Sequence, residues 1–244
     1  MRHAVIPDVQ AKPGVSLKYL TAIGKYLAEK QPERIICIGD FADMPSLSSY
    51  DKGKKSFEGR RYRKDIDAVQ RAMEALMTPI AKVGGYIPKF DLTLGNHEHR
   101  INRAVDFQPE FDGVISVDDL RYPEWGWNTH AFLEVIQRDG VCYSHYFTTG
   151  VMGRPATSAQ ALLTKKHQSC VAGHQQGLQI ATAVRADGKM LTGIISGSCY
   201  EHKEDYLGPQ GNNHWRGMLM LNDVRAGEFE TMPVTLRYLR RRFA

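Results

Sequence analysis

The chain has 244 residues with a formal net charge of +5, 42% hydrophobic residues and 24% charged residues. This is the composition of an ordinary globular protein, and it excludes a disordered or fibrous one. No apolar run approaches the roughly 20 residues that a membrane helix needs, and the first residues turn polar too soon for a signal peptide, so we predict a cytoplasmic protein that does not bind a membrane.

The N-terminal part of the chain alternates between apolar strands and amphipathic helices. Short apolar runs predict strands at residues 3–6, 34–38 and 90–94. Apolar side chains at helical spacing predict helices at about 17–29 and 64–82. A βαβαβ order of this kind favours parallel strands joined by right-handed crossovers.

The C-terminal part of the chain reads mainly as strands. They are predicted at residues 132–136, 141–146, 170–172, 178–184, 190–195, 217–221 and 229–234, with one helix near 155–165. Hairpin-like connections at 185–188 and 226–227 indicate antiparallel pairing. Without internal repeats or a Pro/Gly-rich linker, the sequence predicts one domain over residues 1–244. Its fold class is α/β (α+β), with two mixed sheets packed face to face and helices outside.

The cysteines give no sign of a metal site or of a disulfide framework. Cys37, Cys142, Cys170 and Cys199 match no zinc-ribbon spacing, and three of them lie in short apolar runs. We therefore expect buried, reduced thiols on strands.

A polar motif follows each of five apolar strands. The motifs are Asp8-Val9-Gln10, Gly39-Asp40-Phe41-Ala42-Asp43, Gly95-Asn96-His97-Glu98, His145 and Gly173-His174-Gln175-Gln176. Each motif is a weak or moderate signal alone, because Gly-Asp is common in turns. Ligands of open α/β sheets bind at the carboxyl ends of strands, so the five motifs are expected to converge on one rim. Oxygen and imidazole ligands of this kind suit Mn²⁺, Fe, Zn²⁺, Ni²⁺ or Co²⁺ rather than Ca²⁺.

In this order the motifs resemble those of the calcineurin-like metallophosphoesterase family. The family pattern is Asp-x-His, Gly-Asp-x-x-Asp, Gly-Asn-His-Asp/Glu, a later His, and Gly-His-x-His, and the resemblance spans residues 8–176. It implies a four-layer αββα sandwich with a two-metal centre between the sheets. By this resemblance Asp40 bridges the two ions, and one of these ions is also held by Asn96, His145 and His174.

The ligands implied for the other ion depart from the family pattern. Asp8 is present, but Gln10 and Gln176 stand where the family has histidines. A glutamine offers a neutral amide oxygen, which is a weaker and harder ligand than imidazole. We therefore expect this half of the site to bind metal weakly, or to prefer an oxygen-loving ion such as Mn²⁺ or Mg²⁺.

The resemblance also implies catalytic roles for His97 and Asp43. His97 corresponds to the catalytic acid or transition-state stabiliser, and Asp43 to the carboxylate that orients it. Such a carboxylate favours the imidazolium that donates to a leaving oxygen. A metal-bound hydroxide is the implied nucleophile, because a metal lowers the pKa of its bound water. The expected cofactor is one or two divalent ions, with Mn²⁺ first and Fe, Zn, Ni, Co or Mg as alternatives.

The segment 44–64 is long for a loop in a compact domain, and long loops are often functional. It combines basic with aromatic residues, namely Lys54, Lys55, Arg60, Arg61 and Arg63 with Tyr50, Phe57 and Tyr62. This mixture suits phosphate contacts and base stacking; the alternative is a solvated loop. Candidate substrate-binding residues are Arg60, Arg61, Arg63 and Arg100. A second polar segment, residues 199–215, is a candidate cover for the site.

The sequence thus predicts a metal-dependent phosphoesterase, with nuclease or nucleotide phosphodiesterase activity preferred. A phosphomonoesterase or protein phosphatase is the second interpretation. It is disfavoured by Met44, which follows Asp43 where family protein phosphatases carry an arginine suited to clamp a terminal phosphate. A third interpretation is a catalytically inactive scaffold that binds a protein partner. Gln10 and Gln176 favour it, whereas the retained His97 opposes it.

Overall fold

In the computed structural model, the described parts of the protein, residues 1–204 and 207–243, contain two mixed β-sheets with helices packed on them and a separate two-stranded sheet. The strands are β1 (His3–Ile6), β2 (Arg34–Cys37), β3 (Lys89–Thr93), β4 (Asn128–His130), β5 (Ile136–Arg138), β6 (Val141–Ser144), β7 (Thr148–Thr149), β8 (Arg154–Pro155), β9 (Cys170–Ala172), β10 (Leu178–Val184), β11 (Met190–Ser196), β12 (Gly217–Arg225) and β13 (Glu228–Thr235). The helices are α1 (Lys18–Lys30), α2 (Tyr62–Ala81), α3 (Arg100–Phe107), α4 (Ala159–Lys166), α5 (Gly208–Gly211) and α6 (Leu236–Phe243). None of the helices in these two described ranges is both long and apolar enough to cross a membrane.

The larger sheet has the strand order β13-β12-β1-β2-β3-β4. Strands β1 to β4 pair in parallel, and β12 and β13 add antiparallel neighbours at one side. The βαβαβ order predicted for the N-terminal part is confirmed, with α1 and α2 as the crossover helices. Helix α3 was not predicted.

The strand predicted at 132–136 is wrong. Residues 132–133 form a turn in which Leu133 has a φ of 68°, a left-handed value that an extended strand cannot contain. The apolar side chains of this turn have the sequence pattern of a strand, which is why a strand was predicted. The strand that pairs with β3 is β4, which begins four residues before the predicted strand and is too polar to be recognised from its pattern.

The smaller sheet has the order β10-β11-β9-β6-β5. Strand β9 is parallel to both β6 and β11, whereas β5 and β10 are antiparallel edges. The predicted hairpins at 185–188 and 226–227 are confirmed as the connections of β10 to β11 and of β12 to β13. The predicted helix near 155–165 begins later, at Ala159, because Ser158 caps it by accepting a hydrogen bond from the Ala161 amide.

Apolar side chains lie in three clusters that follow the sheets. The largest fills the space between the larger sheet and helices α1, α2 and α6. The second lies between the two sheets, where Val5 and Ile36 pack with Tyr143 and Val171. The third lies under α4 on the smaller sheet. Because strand side chains alternate, Ala4 belongs to the helix side of the larger sheet and Val5 to the inter-sheet side. The predicted class, mixed α/β with two mixed sheets, is confirmed.

The expectation of reduced thiols on strands is largely confirmed. All four cysteines are free, and Cys37, Cys170 and Cys199 are buried. Cys142 is partly exposed and lies opposite Cys170 in the parallel pair of β6 and β9.

Candidate metal centre

Side chains from four of the five strand-end motifs meet at one rim of the two sheets. His145 Nε2 lies 2.9 Å from Asn96 Oδ1 and 3.4 Å from Asp40 Oδ2. His174 Nδ1 lies 2.8 Å from the same Asn96 oxygen. One ligand atom each from Asp40, His145 and His174 falls within 4.8 Å of the others, so the group could hold a metal ion. These are the four residues that the resemblance assigned to a single ion.

The two histidines of this group are neutral and oriented as ligands. His145 Nδ1 donates a hydrogen bond to the Ile38 carbonyl at 2.9 Å, which leaves the Nε2 lone pair directed at the cluster. Burial lowers the pKa of His145 despite the nearby Asp40 carboxylate. Burial also lowers the pKa of His174, to about 4. A neutral imidazole is the form that binds a metal.

Several residues of the candidate site have left-handed backbone conformations. They are Gln10, Asp40, His174 and Gln176, with φ values of 47°, 51°, 68° and 56°. Such values are uncommon for residues other than glycine, and residues held in them cluster at functional sites. Local sequence propensity does not favour them, so the surrounding contacts hold these turns in place.

The motif glycines allow the polar loops to approach one another closely. A Cβ atom on Gly95 would lie 2.0 Å from Asp40 Oδ1, and one on Gly173 would lie 2.7 Å from Asp8 Oδ1. Neither position has room for a side chain unless an acidic residue of the site moves.

Glu98 joins two of the loops, a role that the sequence did not reveal. Its buried carboxylate accepts hydrogen bonds from the backbone amides of Asp40 (3.0 Å), Gly95 (2.8 Å) and Ala42 (2.8 Å), and from the Tyr122 hydroxyl (3.2 Å). Burial and the Asp40 charge raise the pKa of Glu98 to about 7. Glu98 therefore fixes the turns after β2 and β3 relative to each other.

The other half of the candidate site contains buried polar atoms without partners. Asp8 Oδ1 accepts a hydrogen bond from the His174 amide at 3.1 Å. Asp8 Oδ2 and both side-chain amide atoms of Gln10 are buried and have no hydrogen-bond partner among the residues that the structure describes. Burial and the neighbouring Asp40 carboxylate raise the pKa of Asp8 well above its usual range. Two buried carboxylates beside an unpaired amide form an environment suited to a cation.

Gln176, the remaining predicted ligand, contacts a residue that the sequence did not single out. The Tyr200 hydroxyl donates a hydrogen bond to Gln176 Oε1 at 2.7 Å. Tyr200 comes from the segment 199–215. The predicted ligand is therefore tied to the loop that was expected to cover the site.

His97 and Asp43 form the pair that the sequence predicted. His97 Nδ1 donates to Asp43 Oδ1 at 2.8 Å, and His97 Nε2 lies 3.7 Å from Asp40 Oδ2. Burial acts to lower the pKa of His97, but the two carboxylates outweigh it and raise this pKa. Arg100 Nη1 donates to the Asp43 carbonyl at 2.8 Å, and its Nη2 lies 3.2 Å from His97 Nε2.

Lys12 is a cation of the site that sequence reasoning missed. Its Nζ lies 3.4 Å from Asp43 Oδ2 and also pairs with Glu204 of the segment 199–215. Burial acts to raise the pKa of Asp43, but His97 and the cations Lys12 and Arg100 hold it well below its usual range. Asp43 is therefore a carboxylate throughout the physiological pH range.

The candidate site opens into a cleft of about 1020 Å³. Residues from 45–64 line one wall, and Leu207, Gly211 and His214 line another, in agreement with the expected cover segment. Of the predicted substrate-binding residues, Arg60, Arg61 and Arg100 line the cleft. Arg63 lies exposed in the first turn of α2, outside the residues that line it.

Comparison with known proteins leaves the family open. No family model matches the chain. The chain is 32% identical over 110 residues to the Gene 54 protein of Mycobacterium phage L5 and 30% identical over 99 residues to the Gene 54 protein of Mycobacterium phage D29. These alignments cover 45% and 41% of this chain but 40% and 36% of the phage proteins, so the chain matches about two fifths of the length of these relatives.

One solved crystal structure aligns with 95% of this chain and 98% of its own length. The TM-score is 0.44 and the sequence identity is 10%, values too low to assign a fold family. The names of the phage proteins state no activity. The chemistry of the site is therefore the basis for a functional assignment.

Proposed function

We propose that the protein is a metal-dependent phosphoesterase of the calcineurin-like type, with two sheets and their outer helices arranged as a four-layer αββα sandwich. The observation that carries the proposal is the convergence of Asp40, Asn96, His145 and His174 at one rim, with neighbouring ligand atoms 2.8–3.4 Å apart. Side-chain atoms that share one ion at about 2.0–2.2 Å lie at about this separation from one another. The proposed reaction is the hydrolysis of a phosphoester.

The donor sets fit one firm and one weaker metal position. Asp40, Asn96, His145 and His174 would hold the first ion. Asp8, Gln10 and Gln176, together with Asp40, would hold the second through oxygen atoms alone, which favours a hard ion such as Mn²⁺ or Mg²⁺. A bound ion would supply a water of lowered pKa and would polarise a phosphoryl oxygen.

The remaining chemistry belongs to His97 and the groups around it. Asp43 accepts a hydrogen bond from His97 Nδ1–H, which leaves the Nε2–H of the imidazolium to deliver a proton to the leaving oxygen. The charges of Asp43 and Asp40 stabilise the imidazolium that this step needs. Arg100 contacts His97 and lines the open cleft beside it, where a guanidinium can contact phosphate oxygens.

Phosphodiesters remain the preferred substrates in this proposal. Met44, in place of the arginine of family protein phosphatases, is fully buried beneath the cleft and offers no charge to a terminal phosphate. The scaffold interpretation is disfavoured because the His97–Asp43 pair and four ligand residues are held in a geometry that protein binding does not need.

The test is hydrolysis of bis-(p-nitrophenyl) phosphate with added Mn²⁺. We expect turnover that EDTA abolishes and that His97→Ala lowers by about 10²–10⁴-fold, the usual contribution of a general acid. His167→Asn is the control, since His167 follows α4 at an exposed position that does not line the cleft and has a left-handed φ of 54° that asparagine tolerates. Absence of turnover with every divalent metal would refute the proposed function.

A further inference from the structure

One wall of the cleft combines an exposed aromatic ring with cations, and we call it the basic wall: Tyr50, Lys54, Arg61 and Lys64. The Tyr50 side chain is 78% exposed although it lines the cleft. Among the described residues, the Arg61 guanidinium donates only to the Arg60 carbonyl, at 2.8 Å. Within residues 1–204 and 207–243, neither Arg61 nor Lys64 has a carboxylate within 4.0 Å, so both charges are available to an anionic ligand.

The acidic residues beside the basic wall are mostly neutralised. Asp51 Oδ2 pairs with Arg60 Nη1 at 2.8 Å, and its other oxygen lies 3.3 Å from Lys54 Nζ. Asp65 accepts a hydrogen bond from the Ser46 amide, and burial raises its pKa. Glu58 is the remaining carboxylate of the wall. The unpaired cations therefore outnumber the unpaired anions along this side of the cleft.

The basic wall is continuous with the candidate site. The chain runs from Asp43, which contacts His97, through a short 3₁₀ turn at Pro45–Leu47 into Tyr50. Further along, Arg61 and Lys64 flank the start of α2 on the same cleft. A cleft of about 1020 Å³ lies at the upper limit of the roughly 300–1,000 Å³ of a small-molecule pocket. It has room for a ligand longer than one nucleotide.

We propose that the basic wall binds single-stranded polynucleotide and leads it into the candidate site. The binding itself does not depend on the proposed phosphoesterase function; only the role of the bound strand as a substrate rests on it. Tyr50 stacks on a base, and Arg61 and Lys64 contact backbone phosphates. Stacking aromatics beside cations that follow the backbone are the combination by which proteins hold single strands without sequence preference. A phosphoprotein substrate offers no flat base for the exposed Tyr50 ring.

The test is binding of a fluorescein-labelled 12-residue oligothymidine, measured by fluorescence anisotropy in EDTA. We expect R61A/K64A to bind at least tenfold more weakly than the unchanged protein. Y50A should bind about 5- to 150-fold more weakly, the range that corresponds to loss of one stacked base. The matched control is K52A/K55A, which removes the same charge from exposed positions of the same segment that do not line the cleft. It should change the affinity less than twofold.

Three outcomes would overturn the inference. The oligonucleotide does not bind, or both double variants lose affinity equally, which would mean attraction by net charge alone. In the third, a duplex of the same length binds as tightly as the single strand and Y50A has no effect. All substituted residues are on the surface, and an unchanged melting temperature for each variant establishes that a loss of binding is not a loss of folding.

Binding and hydrolysis, measured on the same protein, distinguish failure of this inference from failure of the proposed function. Hydrolysis of bis-(p-nitrophenyl) phosphate without oligonucleotide binding would overturn the basic wall and leave the phosphoesterase intact. Oligonucleotide binding in EDTA without hydrolysis in any divalent metal would refute the phosphoesterase and leave the basic wall intact.

Discussion

Gln10 gives the sharpest test of the weaker half of the candidate metal centre. Its side chain is fully buried, and neither amide atom has a hydrogen-bond partner among the described residues. A buried polar group without a partner destabilises a protein by about 1–3 kcal/mol. If the amide is kept because it binds a metal, then Gln10→Met should remove this penalty and weaken metal binding at the same time. Methionine is unbranched and about as long as glutamine, so the left-handed backbone at this position meets no additional strain.

The expected size of the effect follows from that penalty. For a protein of this length, 1 kcal/mol shifts the melting temperature by about 2–4 °C. In EDTA, Gln10→Met should therefore melt about 2–12 °C above the unchanged protein. Added Mn²⁺ stabilises the folded protein in proportion to the logarithm of its concentration over the dissociation constant. We expect a smaller Mn²⁺-dependent rise in the variant.

Both melting temperatures, in EDTA and across a Mn²⁺ titration, are measured by differential scanning calorimetry. Gln137→Met is the control, because Gln137 is an exposed residue of β5 and its substitution should leave both quantities unchanged. A variant that melts lower in EDTA, or that keeps the full Mn²⁺-dependent rise, would show that Gln10 has a structural role and that the reasoning from its unpaired amide is wrong.

Three other predictions concern the loops of the site and the frame that holds them. Gly95→Ala should lower metal binding at least tenfold by calorimetric titration, because the new Cβ would displace the Asp40 carboxylate; unchanged affinity would contradict the close approach of these loops. Glu98→Gln should lower the free energy of unfolding by about 2–5 kcal/mol in urea, since the amide nitrogen of glutamine cannot accept the backbone hydrogen bonds that one carboxylate oxygen of Glu98 accepts; a loss below 1 kcal/mol would contradict its joining role. Asp91 is buried, which acts to raise its pKa, but Arg138 and neighbouring donors outweigh this and hold the pKa well below its usual range. Its stabilisation should be fully present above the unfolded-state pKa of about 4 and should be lost gradually as the pH falls from there toward the lower folded-state pKa. The difference in stability between Asp91→Asn and the unchanged protein should therefore be constant above about pH 5 and should shrink steadily below about pH 4; a difference that stays constant down to pH 3 in urea unfolding would refute it.

The parts of the fold that the sequence predicted are those encoded by local pattern. Strands such as β1, β2 and β9 are short apolar runs buried on both faces, and their ends were recognisable because polar motifs follow at once. Helices α1 and α2 were recognisable because apolar side chains recur at helical spacing over most of their length. Strand β4 was missed because it is a polar edge strand whose position depends on pairing with β3 and not on its own composition.

Residues of the candidate site were also predictable where local pattern marks them. Asp40, Asn96, His145 and His174 were found because each directly follows a buried strand, and the sheet order brings those strand ends together. Contacts made by side chains across loops were not predictable. Lys12 reaches Asp43 through a turn that contains the left-handed Gln10, and no local pattern specifies that conformation.

In the proposed metal centre, Gln10 and Gln176 in place of the two histidines of the calcineurin-like pattern would change the basicity of the second metal position but not its charge, because a ligating imidazole and an amide are both neutral. The buried carboxylates of Asp8 and Asp40 still repel each other, as the raised pKa of Asp8 indicates. A position that had lost its function would be expected to fill with apolar side chains, which carry no penalty for burial. Instead, Gln10 keeps an unpaired polar amide in a fully buried location. We infer that the position is retained for a harder cation than the family histidines would select, and that Mn²⁺ or Mg²⁺ should therefore occupy it in preference to Zn²⁺.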